Sequence, residues 1–142
     1  MHSKQRLIMT DIREILNQTD RFAAGVGCQV TEVDEHHAVA EMTVGKEHLN
    51  AGGVCQGGAL FTLADLSMAA LMNHQGNLTF GISSNVMFLS SAVEDDRLRA
   101  EAVSINDHRR ISSVEVRVTN QDGRLICHLT GMGYRKDVPL AK

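Results

Sequence analysis

The chain has 142 residues, 43% of them hydrophobic and 22% charged, with a single proline. That length and make-up leave no compositional case for disorder, so one domain over residues 1–142 is expected. Its 14 Lys and Arg against 17 Asp and Glu give a formal charge of -3, which lacks the basic footprint of a nucleic-acid binder and excludes that class of partner.

The chain opens on an apolar run of only three residues, Leu7-Ile8-Met9, shorter than the hydrophobic region of an export signal. Cys28, Cys55 and Cys127 are odd in number and widely separated, unlike the paired framework of a disulfide-stapled secreted domain. Together these features predict a cytoplasmic protein. From Asp11 to Phe22, Ile12, Ile15, Leu16 and Phe22 recur near helical spacing, with Thr10 as N-cap and Asp11 at the positive end of the dipole. Between Val26 and Val44 the pattern becomes alternation, broken by the polar Asp34-Glu35-His36-His37, which predicts a strand, a turn and a strand. After a glycine-rich loop, residues 57–74 are apolar on almost every side, as in a helix enclosed by other structure, with Gly76 as its stop. Thr62, Asp65 and Ser67 interrupt it, and it is shorter than the roughly 20 apolar residues that span a bilayer, so no membrane partner is expected.

Four strands follow, over residues 78–90, 97–105, 110–120 and 124–134, with turns at Glu94-Asp95-Asp96, Asn106-Asp107 and Asp122-Gly123. Links this short require antiparallel neighbours, because a parallel crossover needs a dozen or more residues. The expected class is α+β, an antiparallel sheet wrapped on one buried helix.

Asp65 is the residue that asks for an explanation. A carboxylate midway along an apolar helix lowers helix propensity and costs desolvation, so it has either a fixed partner or a task. Gly57-Gly58 at the start of that helix leaves backbone N–H groups open, at the positive dipole end, with no side chain in the way, which suits developing negative charge. Asp65 lies eight residues further on, about 12 Å along the axis, too far to share one carbonyl with Gly57 of the same subunit. Two such helices packed antiparallel about a twofold axis bring the two together, which hints at a dimeric site.

The set Asn50, Gln56-Gly57-Gly58 and Asp65 resembles the Asn…His-Gly-Gly…Asp signature of hotdog-fold thioesterases of the phenylacetate-degradation type. The order of predicted elements is similar to the whole family domain, over essentially the entire chain. The resemblance implies hydrolysis of an acyl-CoA thioester with no metal or other cofactor, by a homodimer or homotetramer. In that scheme Asp65 acts as general base or nucleophile, the Gly57 N–H polarises the carbonyl, and Asn50 orients water or substrate. The carboxylate would come from the opposite subunit. Gln56 replaces the family's usual histidine, so a positioning role survives there and acid-base chemistry does not. A non-catalytic acyl-CoA binding or sensing protein on the same fold is the alternative.

Other candidates have plain readings beside the functional ones. Arg109 and Arg110, in His108-Arg109-Arg110, would hold the phosphates of CoA or be ordinary solvated turn charges. Ser83, Ser84 and Asn85 are polar groups near the reacting centre or strand-edge hydroxyls; Gly58 would also contact substrate. Phe61, Met68 and Met72 line an acyl pocket or simply fill the core. Cys55 adjoins the motif without an activating base in the sequence around it, and reads as a small apolar filler. The histidines show no HExxH pattern, and His36-His37 lacks an evident third ligand, so no metal site is expected.

Overall fold

The computed structural model describes residues 12–140. Helix α1 covers residues 12–19 and α2 covers Arg21–Val26. The one helix expected over residues 11–22 is therefore broken at Asp20. Asp20 leaves helical geometry, and its carboxylate accepts the Ala23 N–H at 3.1 Å, so it caps a second helix instead of continuing the first. Gly27, in the left-handed region at φ 91°, closes α2. The cap assigned to Thr10 and the dipole role of Asp11 lie outside the described residues.

Strands β1 (Gln29–Val33) and β2 (His37–Thr43) form a hairpin whose turn is held by Asp34, which accepts the N–H groups of His36 and His37 at 2.7 and 2.8 Å. His37 is also held through its ring, by Asp34 and Glu32. A short 3-10 turn, Lys46–His48, leads into the glycine-rich loop and then α3, Gly57–Met72. Asn73 ends α3 and ties it to the next strand, exchanging side-chain hydrogen bonds with both backbone groups of Thr79 at 2.8 and 3.2 Å.

The remaining strands are β3 (Asn77–Phe88), β4 (Arg97–Asp107), β5 (Ile111–Thr119) and β6 (Leu125–Pro139). They join the hairpin in a six-stranded sheet of order β1-β2-β4-β5-β6-β3, with every neighbouring pair antiparallel. β6 runs to Pro139 and not 134 because β3 keeps pairing with it after β5 has ended, out to Asn77 opposite Pro139. The sequence there is polar and gives no sign of this.

Helix α3 lies across one face of the sheet, and small residues let it sit close. Ala38 and Ala40 of β2 stand opposite Ala102 and Ala100 of β4, all fully buried. On β6, Gly131 and Gly133 leave room for Met68 and Met72; a Cβ at either position would overlap the methionine sulfur. No described helix is long and apolar enough to cross a membrane.

The two edges of the sheet differ. On β1, α1 covers the edge: Asn17 donates to the Val30 carbonyl at 2.9 Å and accepts the Val30 N–H at 2.8 Å, as a neighbouring strand would. At the other edge, β3 is open and carries Phe80, Ile82, Met87 and Phe88, each at least half exposed.

Candidate active site

The loop ahead of α3 is built on two polar side chains. His48, 6% exposed, accepts the Gly45 N–H at Nδ1 and donates from Nε2 to the Val26 carbonyl, which locks the loop to the end of α2. Its own carbonyl receives the Gln56 N–H at 2.7 Å and so fixes the residue that starts α3. Asn50 folds the intervening turn, its Oδ1 accepting from Gly52 at 2.9 Å and Val54 at 3.3 Å. That commits the acceptor end of Asn50 to the loop. Its amide NH2 has no partner among the described residues and is the end left for a ligand.

Gln56 is the N-cap of α3: its Oε1 accepts the Gly58 N–H at 3.1 Å. The Gly58 donor is therefore spent within the chain. The Gly57 N–H, at the same helix end, has no partner among the described residues. A cleft of about 320 Å³ opens there, with Asn50, Gly57 and Leu60 on one wall and Phe88 and Leu89 on the other. The Phe88 ring lies so close to Gly57 that a Cβ there would stand 3.1 Å from it, which explains glycine at this position beyond helix-start geometry. Phe88 and Leu89 were not expected in the site. The signal was present, because Phe88-Leu89 breaks the alternation of β3 where that strand gives way to a loop.

Asp65 projects from the half-exposed side of α3 and has no hydrogen-bond or ion-pair partner among the described residues. Of the two explanations for this carboxylate, a fixed partner is thus not found among the described residues of the subunit. Burial pushes its carboxyl above the usual carboxylate range, and the neighbouring Asp20 carboxylate raises it further. Asp65 and Gly57 are separated along the same helix by residues 58–64, about 12 Å between the two positions, so one subunit does not bring them onto one small group.

Met68 and Met72 are 2% and 3% exposed and pack on the sheet glycines, so they belong to the core and do not line the cleft. Phe61 is half-buried and packs against the core from its edge. Ser84 stands opposite Gly131, on the helix side of the sheet, whereas Ser83 and Asn85 pair with Met132 and Thr130 on the outer face. A β-bulge at Ile82 sets this parity. Cys55 is 5% exposed and burial raises its thiol, as it raises Cys28 to about 12 and Cys127 to about 11, so none of the three is a thiolate nucleophile at neutral pH. At the β4–β5 turn, Arg110 is tied to Asp137 at 2.6 Å, while Arg109 is exposed and forms no ion pair among the described residues.

Comparison with known proteins agrees with this fold. Residues 52–127, which hold Gly57, Asp65 and most of the sheet, match the model of the thioesterase superfamily. An Archaeoglobus fulgidus protein named as an esterase is 32% identical over 94% of this chain and 86% of its own. The acyl-coenzyme A thioesterase PaaI of Escherichia coli is 29% identical over 83% of this chain and 84% of its own. The solved structure of the Escherichia coli PaaI protein superposes with a TM-score of 0.89 at 26% identity, covering 93% of this chain and 96% of that one. With its six-stranded antiparallel sheet and long central helix, the chain has the hotdog fold and belongs to the thioesterase superfamily, as a thioester hydrolase of the PaaI-like kind.

Proposed function

We propose that the chain hydrolyses acyl-CoA thioesters to a free acid and CoA, with Asp65 as general base. The observation that carries this reading is a half-buried carboxylate without a partner among the described residues, on a helix whose own N-terminus offers a Gly57 N–H equally uncommitted among them, above an open cleft. Asp65 takes a proton from water, the hydroxyl oxygen attacks the thioester carbon, and the Gly57 N–H together with the dipole of α3 stabilises the oxyanion. The C–S bond then breaks, and the departing CoA sulfur takes up the proton that Asp65 had accepted, which restores the carboxylate. A carboxyl raised above the usual carboxylate range is, once ionised, a stronger base toward water. Asn50 donates from its amide to substrate or water, and Arg109 pairs with the CoA phosphates.

The Asp65 that serves a given Gly57 comes from a second copy of the chain. β3 is the open edge, with apolar side chains along it, and β1 is covered, so pairing β3 with the β3 of a partner is the join the sheet favours. Antiparallel pairing there also runs the two α3 helices in opposite senses, the arrangement the 12 Å separation requires.

The test is release of the CoA thiol from aromatic, short-, medium- and long-chain acyl-CoAs, by the native protein and by Asp65→Ala. Loss of the base is expected to lower kcat by about a hundredfold or more. Binding of CoA esters without turnover would favour a sensing protein instead, for which Gln56, committed to capping, is the supporting observation. Turnover indifferent to Asp65 would overturn the mechanism.

A further inference from the structure

At the end of β6, Arg135 buries a guanidinium that the proposed chemistry does not use. Its side chain is 11% exposed. Nη1 donates to the carbonyls of His108 at 3.0 Å and Arg109 at 3.3 Å, and Nη2 donates to Asp107 Oδ1 at 2.9 Å. Its backbone N–H reaches the Arg110 carbonyl at 2.8 Å, so all three carbonyls of the β4–β5 turn are held by this one residue. Arg110 answers, donating to the Arg135 carbonyl at 3.3 Å and to Asp137 at 2.6 Å.

Closing a hairpin does not require this. The His108 N–H already bonds the Ile111 carbonyl at 2.8 Å, and turn residues alone close such loops without taking a charge out of water. What the clamp adds is a fixed backbone under Arg109. Asp107 and Asp137 face Arg135 and Arg110 and offset their charge, which leaves the exposed Arg109 guanidinium as the cation at the tip.

We propose that Arg135 is a positioning residue for the nucleotide end of the substrate: by gripping the turn carbonyls it sets where Arg109 meets a phosphate group of CoA. The proposal rests on the CoA reading of Arg109 given above. Lysine would keep the charge but lose the planar fork that holds several acceptors at once.

Titration calorimetry of free CoA and of pantetheine tests it without relying on turnover. Arg109→Ala and Arg135→Lys are each expected to weaken CoA by about tenfold and to lower the preference for CoA over pantetheine. The double variant is expected to be no weaker than Arg109→Ala alone, because Arg135 acts through Arg109. Should Arg135→Lys fail to fold, Asp107→Ala decides. Removing a negative charge near a bound anion would tighten CoA by field alone, whereas losing one leg of the clamp weakens it. Losses that multiply in the double variant, equal weakening of pantetheine, tighter CoA in Asp107→Ala, or a native protein that binds CoA no better than pantetheine would each overturn the proposal. Intact CoA binding with no thioester turnover would sink the catalytic reading and leave this one standing.

Discussion

Asp65 costs the folded chain something, and the cost has a sign. Its carboxyl is raised in the folded state by burial and by Asp20, so the fold prefers it protonated. The stability tied to that preference is complete below the unfolded carboxyl value, about 3.9, and is lost as pH rises through the higher folded value. Asp65→Asn, which cannot ionise, should therefore melt several degrees above the native protein at neutral pH, with the gap closing in acid near pH 3. Thermal melts of both proteins across that range check this. A native protein that is the more stable at neutral pH would mean that Asp65 has a stabilising partner. The sequence showed that this carboxylate was out of place on its helix, but not what surrounds it in the fold. Partners are set by side chains remote in sequence, and Asp20 is 45 positions away.

For the elements, the decisive contact is α3 on the sheet, and glycine has opposite values in its two settings. Gly131→Ala drives a methyl into Met68 and is expected to cost about 1–3 kcal/mol in chemical denaturation. Gly25→Ala, inside α2 with open space around the new Cβ, is expected to add up to about 1 kcal/mol. Equal effects would deny that α3 lies this close to β6. Helix α3 and the four later strands were legible because the hydrophobic period changes cleanly from enclosed helix to alternation. The break at Asp20 was not, since Ile12, Ile15, Leu16 and Phe22 keep helical spacing across it while one side chain switches from continuing a helix to capping another. Nor was the inward parity of Ser84, which depends on a single extra residue at the Ile82 bulge.

At the scale of the molecule, the proposed site is split between copies. The spacing of Gly57 and Asp65 was readable as an argument for pairing, whereas the edge open to pairing was not, because only the fold shows β1 covered and β3 open. If each site draws its oxyanion donor from one chain and its base from the other, inactive variants rescue one another. Asp65→Asn mixed with Gly57→Val, whose side chain is driven against Phe88, should recover about a quarter of native activity after subunit exchange. Half the dimers would then be mixed, each with one site intact. An inactive mixture, once exchange has been confirmed by mass, would place both groups in a single chain.

The covered edge has a consequence for growth. A sheet with two bare margins adds copies end on end, and each addition exposes a fresh template for the next. Here Asn17 occupies the Val30 backbone on one margin, so a chain that has joined through β3 has no second margin to offer. If copies join through β3 as proposed, assembly through strands is expected to terminate at two, so that raising the concentration fills that pair without seeding a fibre.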